Sequence, residues 1–414
     1  ESVAAMSIPS GSVAGGMRST REERIPILWP ERLERTGFIE MLTMMGIRGG
    51  IPGWKQIEQE SEILRRQIET GEMSWPPSDG LYRILLDGMG REPPPLEDLS
   101  PHSFPFFMGL PSILRVAETL LAMSQGAPPW LQQQTIATTL HEIYHLSRWR
   151  HFGRRVYVIE RDTFELLANS DLPDMPAEYL VAPLPHFYVR FPDGVFHFDV
   201  AGDPVPQPAE GVMVGFHPAE PSPGKKREVS FLITGRSPND PADDNVAFVA
   251  ALVRPDAPVS QFALPDAAHA VEKFGQKELS ETVPRAVIAL CLYLQSEHPV
   301  LEPVPARPRK DPALYSGKKR RRIEKENERT SALGYIRVGR VVEDVKGVTR
   351  DATGRWKLDH QVWVRGHWRW QAHGPKHQLR KLIFIRPYMK GPDFAESLTI
   401  RAAKVQPARR REKR

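Results

Sequence analysis

At Gly153 the spacing of apolar residues changes, and no other feature constrains the fold of this chain as strongly. Upstream, apolar positions recur every three or four residues through 31–45, 54–69 and 129–152, as in helices with one buried stripe. Gly46, Gly49, Gly50 and Pro52 break the first two apart. Shorter helical patterns cover 80–89 and 111–124, the latter opening on a proline, which a first helical turn tolerates. Downstream the period is two. A strand is expected at 155–159, and Phe187, Val189 and Phe191 alternate with His186, Tyr188 and Arg190. Pro192-Asp193-Gly194 then leads into Val195–Phe198, which predicts a hairpin. Further strands are expected at 212–216, 229–234 and 246–252, and helices at 265–274 and 281–296.

These periods predict an α+β fold: a helical N-terminal layer, a mixed α/β central domain and a small basic β-rich C-terminal module. The corresponding boundaries are 1–150, 151–300, a proline-rich basic linker at 301–330, a module at 331–406 and a charged tail at 407–414. Forty prolines in 414 residues, against roughly 5% in ordinary chains, imply many irregular connections. Cys291 is the single cysteine, so disulfide frameworks and thiolate metal clusters are excluded, and its apolar setting suits a buried helix face. No apolar run approaches the roughly 18–20 residues of a membrane span. Residues 1–17 lack the basic-then-apolar pattern of a secretion signal. The expectation is a soluble cytoplasmic protein without membrane contact.

The charge is segregated. Residues 307–414 hold 30 of the 56 lysines and arginines but 11 of the 51 acidic residues, a local excess of +19. The first 306 residues are correspondingly acidic, near −14. Segregation on that scale marks a surface for a polyanion, most often nucleic acid. The run Lys318, Lys319, Arg320, Arg321, Arg322 sits in the expected linker. In a strand over 361–371, Trp363, Arg365, His367, Arg369 and Gln371 share one face and Val364, Trp368 and Trp370 the other. His373, Lys376, Arg380, Lys381 and Arg386 extend the positive surface. Guanidinium groups interleaved with rings suit RNA or single-stranded nucleic acid, by phosphate neutralisation and base stacking. His367 and His373 could also serve as base and acid on a ribose hydroxyl. The bland alternative is a small barrel with a solvated basic face. On either reading, residues 1–306 are expected to fold without the rest.

One motif points elsewhere. His141-Glu142-Ile143-Tyr144-His145 is an H-E-x-x-H on a predicted helix, the arrangement by which two imidazoles bind zinc while the glutamate activates water. His151 lies at a third-ligand spacing. Arg148, however, stands where that pattern has a turning glycine, and in a continuous helix His151 rotates about 80° from His141. Arg150, Arg154 and Arg155 would also repel a dication. The alternatives are therefore a zinc metalloprotease or a structural helix end, and the expectation is no cofactor.

Arg365-Gly366-His367-Trp368, the second tryptophan at 370, the Gly374 turn and a basic strand closing on Pro387 resemble the C-terminal end of the type V-A anti-CRISPR family. Similar passages run upstream in the same order, at 146–159, in Leu184-Pro185-His186-Phe187-Tyr188-Val189 and at 283–298. The branch in question lowers production of the CRISPR nuclease by promoting loss of its messenger RNA and has relatives on plasmids and phages. The resemblance implies a mobile-element regulatory protein that recognises a nascent peptide and causes decay of the encoding message, in contact with RNA or the ribosome. A DNA-binding accessory protein of a plasmid or phage is the third reading, since the same basic surface would serve it.

Overall fold

The computed structural model describes residues 25–35, 53–77, 109–168, 170–198, 206–217, 226–235, 246–263, 277–296, 299–339, 362–364, 367–385 and 388–390. Among these residues four helices come first: α1 (Trp29–Arg35), α2 (Trp54–Glu69), α3 (Pro111–Met123) and α4 (Pro129–His151). Strand β1 (Val156–Ile159) and helix α5 (Arg161–Ala168) follow. Five strands come next: β2 (His186–Arg190), β3 (Phe196–Phe198), β4 (Gln207–His217), β5 (Arg227–Gly235) and β6 (Val246–Val253). Helix α6 (Lys277–Gln295), β7 (Leu301–Val304), α7 (Gly317–Arg329) and β8 (Tyr335–Val338) complete the body. Beyond it lie β9 (Val362–Val364), β10 (His367–His373), β11 (Leu379–Ile385) and β12 (Tyr388–Lys390).

Strands β1 to β8 form one mixed sheet in the order β6-β5-β4-β2-β1-β8-β7, with β3 paired to β4 off that path. β1 runs parallel to both β2 and β8, and the remaining ladders are antiparallel. A parallel centre needs cover on both faces. The sequence supplies it, because Val156-Tyr157-Val158-Ile159 is apolar without interruption and buried throughout. Val156 and Val158 enter one core with Trp29, Trp54, Ile57, Tyr144 and Trp149, whereas Tyr157 and Ile159 enter the other with Phe187, Val287 and Leu290. Each fully buried aliphatic side chain contributes about 1.5–3 kcal/mol. α6 is buried almost all round, and burial pushes the Cys291 thiol up to about 12, consistent with an inert core residue.

The α+β class is as expected, but four local expectations fail. Pro192-Asp193-Gly194 forms a turn, yet β3 pairs β4 and not β2. The reason is that β2 already carries β1 on one edge and β4 on the other, leaving no free edge for a hairpin partner. The expected linker at 301–330 instead holds β7, a short 3-10 turn at Pro312–Leu314 and α7. The strand expected to open the basic module, β8, is an interior strand of the large sheet. The strand expected over 361–371 is two, β9 paired to β12 and β10 paired to β11. Helices expected at 36–45, 80–89 and 265–274, together with Arg365, Arg386 and the 407–414 tail, lie outside the described residues.

β8 is held at both ends. Its pairing sets Tyr157 opposite Ile336 and Ile159 opposite Val338. Just beyond it Gly339 adopts φ +91°, and the Thr163 hydroxyl donates to its carbonyl at 2.9 Å. A Cβ at Gly339 would overlap that hydroxyl. Truncation after Ala306 therefore exposes the β1 edge and opens both cores. We predict that residues 1–306 show no cooperative thermal transition by circular dichroism; a melt like that of the full chain would refute the arrangement.

Candidate functional site

Helix α4 delivers the H-E-x-x-H motif into the body. His141 is buried and stacks on Phe248 with ring centroids 3.5 Å apart. His145, fully buried, faces β2, its Nδ1 standing 3.1 Å from His186 Nε2. Glu142 is half-buried, whereas His151 is exposed on the last residue of the helix and packs edge-on to Phe152 at 4.8 Å. His141, His145 and His151 thus point to different surroundings. Among the described residues no three His, Cys, Asp or Glu side chains are placed to share one metal ion.

What the motif forms instead is a buried polar cluster. Arg148, 1% exposed, donates from Nη1 to Tyr144 Oη at 2.8 Å and from Nη2 to the Phe216 carbonyl at 3.4 Å. The Tyr144 hydroxyl also shares a hydrogen bond with His217 Nε2 at 2.6 Å. The guanidinium carbon also sits 5.1 Å from the Trp54 ring centroid, within cation–π reach. Burial, with the Arg148 charge nearby, holds His145 and His186 well below the usual imidazole value of 6.5. Two neutral rings share one proton between Nδ1 and Nε2, which suits their 3.1 Å separation. His145 Nε2 and His186 Nδ1 are left buried without a partner. Tyr144, Arg148, His186 and His217 were not predicted as a group; the usable signal was His186 at the head of a strand whose next three residues, Phe187, Tyr188 and Val189, are all buried.

The basic elements are separate from this cluster. On α7, Lys318, Lys319, Arg320, Arg321 and Arg322 are all exposed, and Ile323 is the helix's one buried residue. Lys319 Nζ lies over the Tyr315 ring at 4.4 Å and Arg320 pairs with Glu324 at 2.8 Å. In the β10–β11 hairpin Trp368 is buried and Arg369 exposed, as the expected alternation requires. Trp368 does not belong to a core of its own, however. It packs on Phe384 at 4.6 Å, Phe384 meets Tyr293 of α6 at 6.1 Å, and Trp368 and Leu382 join the large core of the sheet. In the register of this hairpin His367 stands opposite Ile385 and Arg380 opposite Ala372. Lys381 opposes Gln371 and is half-buried. Lys376 is exposed in the turn, at φ +53°, beside Gly374 at φ +75°. His373 is half-buried.

The model of the AcrVA2-like family, described as the anti-CRISPR type V subtype A2 family, matches residues 157–391, more than half of the chain. The chain belongs to this family. The match begins on β1 and ends just past β12, so it spans the sheet, α7 and the hairpin together. A crystal structure of AcrVA2 aligns at 14% identity over 81% of this chain and 96% of the other, with a TM-score of 0.35. No curated protein matches. Among the described residues no helix of this anti-CRISPR family member is long and apolar enough to cross a membrane.

Two outcomes follow. His145 and His186 have folded-state values below 6.5, so the unfolded chain takes up protons first as pH falls. Stability is then complete above about pH 6.5 and declines below it, by at most about 1.4 kcal/mol per pH unit for each histidine. Thermal melts at pH 7, 6 and 5 should show this decline, and His145→Asn with His186→Asn should flatten most of it while lowering Tm throughout. Separately, Trp368→Ala should destabilise the whole body by about 3 kcal/mol in denaturant titration, since the site it empties belongs to the main core. Arg369→Ala should change stability by less than about 1 kcal/mol.

Proposed function

We propose that this chain is an anti-CRISPR regulator that acts on a translating message, recognising a nascent peptide and lowering the level of the messenger RNA that encodes it. Membership of the anti-CRISPR type V subtype A2 family carries the reading. Two features support its finer parts. Arg369, Lys376, Lys318, Arg321 and Arg322 are exposed cations without an ion pair among the described residues, a surface suited to RNA or to the ribosome. A cleft of about 480 Å³ is bounded by β7, β8 and α7, and its wall carries Arg307, Arg309, Lys310 and Arg337 as well as carboxylates. Its wall includes Glu160, Glu302, Val304, Leu333 and Tyr335, and β7 ends the strand order of the sheet, so an extended peptide could add to its edge.

The test is affinity capture of the tagged full-length protein from cells translating a CRISPR nuclease, with and without ribonuclease treatment. Ribosomes and the nuclease's messenger should co-purify, the messenger should be lost after ribonuclease, and its cellular level should fall severalfold. Capture of neither ribosomes nor any messenger would refute the proposal. Recovery of plasmid or phage DNA in their place would favour a DNA-binding accessory protein.

A further inference from the structure

The five consecutive basic residues of α7 do not act as a block, because a helix distributes them around its axis. At about 100° per residue, Lys318, Arg322, Lys325 and Arg329 fall within an arc of about 60°, with Arg321 on its shoulder. All five are exposed, and none makes an ion pair among the described residues. The opposite side faces the body through buried Ile323 and through Asn327, whose Nδ2 donates to the Lys310 carbonyl at 2.9 Å. The helix C-terminus is fixed as well, by the Ile27 N–H donating to the Arg329 carbonyl at 3.3 Å. Lys319 and Arg320 lie off the stripe and are already engaged by Tyr315 and Glu324.

Such a stripe opposes the helix's own stability. Like charges at i and i+4 repel, as at Lys318–Arg322 and Lys325–Arg329. Cations in the first turn also oppose the helix macrodipole, and no acidic residue stands there to offset them. The stripe runs for about 16 Å, at about 1.5 Å per residue. It carries no aromatic ring on which an unpaired base could stack and no large apolar side chain that could enter a lipid surface. What remains is a rigid, continuous row of donors matched to a regular row of phosphates.

We infer that α7 binds the phosphodiester backbone of double-helical RNA through Lys318, Arg322, Lys325 and Arg329, aided by Arg321 and without base readout. The inference rests on the nucleic-acid reading proposed above and gives it a site and a ligand form. The test uses full-length protein and three fluorescent probes of one sequence: an RNA duplex, the single RNA strand and the DNA duplex, titrated between 50 and 200 mM salt, a range over which phosphate contacts respond strongly. The variant Lys318→Gln, Arg322→Gln, Lys325→Gln, Arg329→Gln should lose at least about a hundredfold in RNA-duplex affinity near 0.1 M salt, with a salt slope shallower by about 3 to 4. Lys325→Gln with Arg329→Gln should give about half of that change in slope. Lys319→Gln with Arg320→Gln should stay within about twofold of the parent, and the fourfold variant should melt no lower than the parent, since the changed residues face outward and their mutual repulsion is removed. Unchanged affinity in the fourfold variant, with loss in Arg369→Gln and Lys376→Gln, would overturn the inference and move the site to the hairpin, leaving the nucleic-acid reading intact. A preference of tenfold or more for single strands or for duplex DNA would overturn the assignment to double-helical RNA. Binding to none of the probes by the parent protein would remove the nucleic-acid reading itself.

Discussion

The parallel pairing of β1 with β8 is the contact on which the rest of this structure depends. It joins residues 156–159 to 335–338 and makes β1 an interior strand, with hydrogen-bond partners on both edges. Without β8, a four-residue apolar strand would present bare backbone groups to solvent, a costly arrangement for an edge. The same pairing draws in everything attached to β8. It carries β7 to the end of the sheet, and it holds α7 beside residues 25–31 through the Pro26–Thr330 bridge and the Arg309–Glu31 ion pair. Residues 301–338 thus belong to the same sheet-centred body as β1 to β6.

Inside that body the polar cluster beneath α4 poses a different problem. A fully buried guanidinium is costly to desolvate, and here it is met by a phenol, a carbonyl and the face of an indole in place of a directly bonded carboxylate. Glu228 and Glu58 act on it from farther away. Burial, with that charge beside it, keeps the His145–His186 pair neutral. The residues four apart in the H-E-x-x-H spacing share a helix face, and that face packs against β2, β4 and β6.

Much of this was legible in the chain, and what was hidden had a physical reason for being so. Period reading located α2, α3, α4, β1, β2, β4, β5, β6 and α6, because each buries a regular stripe or face. The destination of β8 was invisible, since a parallel partner 179 residues away leaves no local mark on Tyr335-Ile336-Arg337-Val338. β7 was masked by composition: Pro303 makes the stretch look like a linker, yet an edge strand tolerates proline where no ladder hydrogen bond is required. His186 was read as the polar side of an alternating strand, a rule that fails where both faces of a sheet are covered. The Trp368 and Arg369 faces were legible from period alone, while the partner of Trp368, a helix of the body, was not. The cationic run on α7 was plain in the sequence. Its division into engaged and outward residues needed the helix.

The distance along the chain between β1 and β8 also bears on how this protein comes into being. Synthesis proceeds from the N-terminus, and non-local pairings must await both partners. When β1, β2 and α4 have left the ribosome, the strand that completes the sheet centre has yet to be translated, and so has the tryptophan that seals the second core. From the translation of Ile159 to that of Val338 the nascent chain therefore carries an open, apolar parallel edge. The native sheet closes only after α7 has emerged, so this cationic helix is exposed before its scaffold is complete. Folding of this chain is a late event, set by its C-terminal third.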